Sequence, residues 1–317
     1  MSVASGKVRS ATVAALAVLA MLIPASMASA STAPGVTLAG DWAPFTRCPV
    51  DDPAMLAADG VNTVALCVAS DSPSGSITLG STTVPTGDSN LQFGLVENTQ
   101  SGAFSIISPP GGAIVAAPVQ IPGGLLGLMC PSNIPVVSAV CAEITNSSLN
   151  EVTATLEPAG DPSDFSLGAG LSAGEPILTL PVMIHLQNPL LGSDCYVGSD
   201  SDPIVLLPEN LTTPAVNLGR FDANGTPDPS DGVMLSISST GGTQGDSSFA
   251  VPGATGCGLA GVLDGAVDLK QGLPSPSGND LVLNNASANL AGLNSPALVA
   301  PDAGQELSSY WHSAVLP

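Results

Sequence analysis

Ile177-Leu178-Thr179-Leu180-Pro181-Val182-Met183-Ile184-His185-Leu186-Gln187 is the stretch that decides the fold class. Leu178, Leu180, Val182, Ile184 and Leu186 fall on one side of a two-residue period, and the other five from Thr179 to Gln187 fall on the opposite side. A period of two sustained over this length describes a strand with one apolar face. Pro181 has no N–H to give a ladder, so the strand is expected at an edge or a bulge. The same alternation recurs outward along the chain. Val152, Ala154 and Leu156 alternate with Thr153 and Thr155, and Leu91, Phe93 and Leu95 share a side. Val64–Val68, Ile77–Leu79, Ile204–Leu207, Val233–Ser239, Val262–Leu269 and Leu281–Asn285 are further strand candidates, separated by turn residues. Ile106–Pro135 is apolar but broken by prolines and glycine pairs, and is expected to form short edge strands and turns.

Helix signals are few. Asp51-Asp52-Pro53 caps a turn running through Ala58, and a second helix is expected from Asp302 as cap to His312. With 35 Gly and 29 Pro, this predicts an all-β fold, a sandwich or distorted barrel of many short strands with at most one or two short helices. One β domain over residues 31–317 is expected; the alternative is two β subdomains meeting near 145–150. The 44% hydrophobic content separates the chain from disordered acidic sequences. With two Trp, two Tyr and six Phe, its core must be aliphatic.

The first thirty residues read as a signal peptide. Lys7 and Arg9 precede the uncharged run Ala11–Ile23, which is too short to span a membrane, and Ala28-Ser29-Ala30 forms a cleavage box. Cleavage after Ala30 removes both cations, so the −21 of the whole chain becomes −23, with only Arg47, Arg220 and Lys270 left against 26 acids. Such a balance repels phosphate backbones and argues against a nucleic-acid partner. All six cysteines (Cys48, Cys67, Cys130, Cys141, Cys195 and Cys257) follow the box. An even count without a C-x-x-C pair, in an exported chain, reads as disulfides. The near-in-sequence pairs Cys48–Cys67 and Cys130–Cys141 are favoured, leaving Cys195–Cys257.

Two motifs carry a family resemblance: Trp42-Ala-Pro-Phe-Thr-Arg-Cys-Pro-Val-Asp-Asp-Pro-Ala-Met-Leu56 and Ile184-His-Leu-Gln-Asn-Pro-Leu-Leu-Gly-Ser-Asp-Cys-Tyr-Val-Gly-Ser-Asp-Ser-Asp-Pro-Ile-Val-Leu206. The chain resembles a family of secreted, β-rich actinobacterial proteins, mostly uncharacterised, some of which are labelled cholesterol esterase. That implies export and a lipid-ester substrate, but supplies no catalytic residues to carry across.

An esterase needs an activated nucleophile. Gly170-Leu-Ser172-Ala-Gly174 matches G-x-S-x-G, a pattern that a glycine-rich chain meets by chance. Its flanks lack the strand-to-helix elbow. His185 and His312 are the two histidines available as a base, each with a plainer reading as a strand residue and a packed tail residue. Asp222, Asn224, Asp228 and Asp231 form an acidic loop with the oxygen ligands calcium prefers, though Thr226 breaks the EF-hand pattern and a solvated turn is the favoured reading of the loop. No organic cofactor motif is present. The expected role is a secreted, non-catalytic β protein binding a lipid or an extracellular polymer, with a secreted lipid-ester hydrolase as the alternative.

Overall fold

The computed structural model describes residues 36–130, 135–144 and 147–317; the expected leader and its cleavage point at Ala30 lie outside them. Residues Gly35–Pro317 group into one compact unit. The chain first lays down six strands of one sheet: β1 (Thr63–Ser72), β2 (Ser74–Leu79), β3 (Thr82–Thr86), β4 (Ser89–Asn98), β5 (Ala103–Ile107) and β6 (Ile114–Ala116). It then builds most of a second sheet from β7 (Val119–Gln120), β8 (Thr153–Pro158), β9 (Leu180–Gln187), β10 (Tyr196–Val197) and β11 (Ile204–Leu206). The strands β12 (Glu209–Asn210), β13 (Val216–Phe221) and β14 (Met234–Asp246) return to the first sheet. β15 (Ala254–Thr255) adds to the second, and β16 (Asp280–Leu293) closes the first. The ten-stranded sheet runs β12-β14-β16-β1-β4-β5 and the six-stranded sheet β15-β10-β9-β8-β7, with the remaining strands paired at their flanks. The two sheets form a sandwich rather than a closed barrel. Because β1 pairs with β16, the first sheet interleaves both ends of the sequence.

The alternation read from the sequence is the packing pattern. Leu178, Leu180, Val182, Ile184 and Leu186 are all buried in the core between the sheets. β9 is central, bonded to β8 on one side and to β10 and β11 on the other, so the edge position expected from Pro181 is corrected. Pro181 is tolerated because β8 ends opposite Val182, and at residue 181 the chain contributes only its carbonyl, to the Ala159 N–H.

Around β1 the first sheet is buried on both faces. On β1, Val68 points into the intersheet core, while Ala65, Cys67 and Ala69 face a layer of helix and loop. That layer holds Trp42, Phe45, Met55, Leu307 and Trp311 packed with Phe221 and Met234. The Trp42 ring meets Phe221 edge-on at 5.3 Å, and Trp311 Nε1 donates to the Phe45 carbonyl at 2.8 Å. Gly94 on β4 lies under the Met55 thioether, where a Cβ would come within 2.7 Å of Sδ. Arg47 clips the layer to the sheet edge by donating to the Asn90 carboxamide oxygen and to the carbonyls of Gly112 and Ala113.

Seven α-helices occur among the described residues, more than the one or two expected: α1 (Pro53–Leu56), α2 (Gly124–Met129), α3 (Pro135–Glu143), α4 (Ser147–Asn150), α5 (Leu167–Gly170), α6 (Asp264–Gln271) and α7 (Ala303–Ser313). Three are single turns of four residues. The two expected helices are α1, capped by Asp52 Oδ1 on the Ala54 N–H, and α7. Asp302 does hold the cap position of α7, though its carboxylate makes no cap bond. Val262–Leu269, read as a strand, is mostly α6. Its buried residues Leu263, Ala266 and Val267 follow three- and four-residue spacing, and Gly272 ends the helix at φ 70°. α2 falls where turns were expected, because Leu125, Leu128 and Met129 bury one side against the intersheet core.

The disulfides are Cys48–Cys67, Cys130–Cys141 and Cys195–Cys257, with no free cysteine. The first ties the helical layer to β1. Replacing Cys48 and Cys67 together by serine should cost about 3 kcal/mol in the chain-entropy picture, read from denaturant unfolding under non-reducing conditions.

Candidate functional site

Stacked sheets sit roughly 10 Å apart, and the side chains of their inner faces must fill that gap. Here the filling is uneven. At one end Phe165 meets both Phe93 and Phe104 edge-on, at 5.7 and 5.4 Å. Farther along the wall includes Ser70, Ser72, Ser89, Ala116 and Ala154, whose side chains are too short to meet across the gap. The space left is a cavity of about 140 Å³, closed by aliphatic residues such as Leu156, Ile184 and Leu281. A neighbouring cavity of about 90 Å³ lies against Phe93, Phe165, Ile177 and Leu290. Among the described residues no Asp, Glu, Lys, Arg or His lines either one.

Most polar side chains on the larger wall are turned into the protein. Ser72 Oγ donates to the carbonyls of Ser74 and Asn284, and Ser70 Oγ to that of Ser287. Gln271, at the end of α6, donates to the carbonyls of Gly127 and Leu128 in α2 and accepts from the Thr82 hydroxyl. One side chain thereby joins α6, α2 and β3 at the end of the cavity. Thr86 Oγ1 is buried without a hydrogen-bond partner. With most of its polar atoms so engaged, the cavity presents a largely apolar surface, the kind that takes apolar guests. Exposed Pro85 and Ala117 stand at the rim of the larger cavity, and exposed Leu171 and Val216 at that of the smaller.

The residues singled out as catalytic candidates stand apart. Ser172 follows the turn of α5, and its Oγ donates to the Gly168 carbonyl at 3.0 Å. His185 lies on the face of β9 opposite Ile184 and Leu186, away from the cavity. Its Nδ1 is 3.0 Å from Glu157 Oε1, its Nε2 is 3.0 Å from the Ser193 carbonyl, and its ring stacks on Tyr196 at 4.4 Å. Burial pushes the Tyr196 hydroxyl above its usual range, aided by the charges of Glu157, Asp194 and Asp200. His312, on α7, contacts the Asp51 carboxylate at 2.9 Å, and Ser308 donates to the same carboxylate. Both histidines are therefore engaged elsewhere, and neither bonds to Ser172. Burial alone would raise the Asp51 carboxyl, but the hydrogen bonds from His312 and Ser308 and the histidine charge outweigh it and hold it below the usual range.

The acidic loop is organised as a turn. Asp222 Oδ1 accepts the backbone N–H groups of Asn224 and Thr226, and Asp228 Oδ1 accepts that of Asp231. Among the described residues no group of three or more His, Cys, Asp or Glu comes together that could hold a metal ion. No family model, curated protein or solved structure matches the chain.

The two carboxylates lead to separate expectations. Asp222→Ala removes two backbone caps and should cost about 1 kcal/mol, to the same extent in millimolar calcium as in chelator. Asp51→Asn should cost about 0.5 kcal/mol at neutral pH, the scale of an exposed pair. Because the Asp51 carboxyl is depressed in the folded state, its contribution is present above the ordinary carboxylate value of about 4 and fades as pH falls below it. Melting curves of wild type and Asp51→Asn should accordingly converge in acid.

Proposed function

We propose that the protein is exported, loses its leader near Ala30, and acts outside the cell as a non-catalytic binder of a neutral apolar molecule held between its two sheets. The observation that carries this reading is the intersheet cavity with aliphatic walls and no charged residue. Three disulfides and a strongly acidic surface suit an oxidising extracellular setting. Among the described residues no helix is long and apolar enough to cross a membrane. A narrow space between sheets, reached past Pro85 and Ala117, suits a small molecule or a chain end in preference to a polymer strand. A cavity of about 150 Å³ takes a guest the size of benzene, so a sterol body exceeds the room at hand. For the ester-hydrolase alternative, Ser172 lacks a bonded base.

Apolar guests of benzene size, added to the protein of residues 31–317, should raise its melting temperature, since a ligand held only by the folded state stabilises by mass action. Ala154, buried on the wall, is the position to fill. Ala154→Leu should preserve the fold, keep or raise the melting temperature, and remove the ligand-induced shift. An equal shift in wild type and Ala154→Leu would move binding elsewhere, and no shift in wild type would end the reading. Turnover of fatty-acyl esters that disappears in Ser172→Ala would establish the hydrolase instead.

A further inference from the structure

Resting on that binding reading, we infer that the two cavities are chambers of one channel and that the ligand is an unbranched, uncharged chain lying through both. Four residues belong to both walls: Ser70, Leu91, Pro208 and Gln244. Ser70 and Leu91 are direct cross-strand partners on β1 and β4. Pro208 lies where the chain leaves β11 of the second sheet for β12 of the first, so a connection between sheets pinches the space at that point. The pinch divides the volume into parts of about 140 and 90 Å³, and its two polar side chains are engaged with the protein, Ser70 Oγ donating to the Ser287 carbonyl and Gln244 Nε2 to Asn210 Oδ1. A methylene chain passes a constriction that stops a fused ring.

Scaled from a benzene-sized guest in about 150 Å³, the first chamber holds about six carbons and the second about four. The head group must be neutral. A carboxylate would enter an apolar site with no cation on either wall, in a protein of whole-chain charge −21, and burying an unpaired charge is strongly unfavourable.

The test is a series of linear primary alcohols from four to twelve carbons, with benzene as reference, followed by thermal shift and calorimetry. Affinity should rise about fourfold per methylene, the equivalent of about 0.8 kcal/mol, up to about ten carbons and then level off. Decanoate should bind at least about tenfold more weakly than decanol. Leu91→Phe, which thickens the pinch, should cancel the gain beyond about six carbons, read as the ratio of decanol to hexanol affinity within that variant. Ser70→Val is a second, smaller obstruction should Leu91→Phe fold poorly. Benzene binding with no gain beyond six carbons in wild type overturns the channel while leaving the binding reading intact. A full gain retained in both variants does the same, and decanoate binding as tightly as decanol overturns the neutral head group. Failure of benzene and every alcohol overturns the binding reading itself.

Discussion

The separation between the two sheets governs everything else in this protein. Backbone pleat and twist set that distance, and side chains can only fill it or fail to. The chain has few large side chains to spend. Both tryptophans, Phe45 and Phe221 pack in the second core, on the far side of the first sheet from the gap. Phe93, Phe104 and Phe165 fill one end of the intersheet gap. What remains is bridged by Leu, Val and Ile, and where the facing residues shrink to Ser70, Ser72 and Ala154 the sheets do not meet. The cavity is thus a consequence of composition acting at fixed geometry.

The fold class was legible because strand periodicity is local. The β9 stretch announces its buried face in ten residues, and the Asp52-Pro53 pair announces the start of α1. The cysteine pairing was legible for the same reason in two bridges, whose partners are near in sequence, and the third followed by exclusion. Errors came where local signal and packing disagree. In α6, Gly265-Ala266-Val267 looks like strand material, yet Leu263, Ala266 and Val267 bury one helical side because α2 and β15 pack there. Pro181 suggested an edge, but the neighbouring strand simply ends beside it.

The cavity was not legible. Its small residues are spread from Ser70 to Ala154, and nothing in either neighbourhood says that they face the same space. The surroundings of the candidate catalytic residues were not legible either. Ser172, His185 and His312 each have suggestive sequence surroundings, but each side chain is satisfied by a partner close at hand: the Gly168 carbonyl, Glu157 with the Ser193 carbonyl, and Asp51. In the same way Asp222 and Asp228 use their oxygens to cap backbone N–H groups of their own loop. The pairings of Ser172, Asp222 and Asp228 are local and cost little ordering entropy, whereas His312 meets Asp51 across 261 positions of sequence, a pairing no local pattern announces.

An unfilled space is costly, and its persistence needs a physical account. At about 24 cal/mol per Å³, the larger cavity of about 140 Å³ represents on the order of 3 kcal/mol of forgone packing. One disulfide closing a short loop contributes a similar amount, and this chain has three. Two of them bear on the sandwich directly: Cys48–Cys67 anchors β1, and Cys195–Cys257 joins the residue before β10 to the segment after β15. The Cys48–Cys67 link and the second core beyond β1 hold the first sheet from outside the gap, so the sheets need not be held apart and together by the same side chains. A sandwich stabilised in this way can keep an apolar interior space without collapsing on it. That division of labour lets the structural cores and an apolar cavity coexist in one acidic, aliphatic chain.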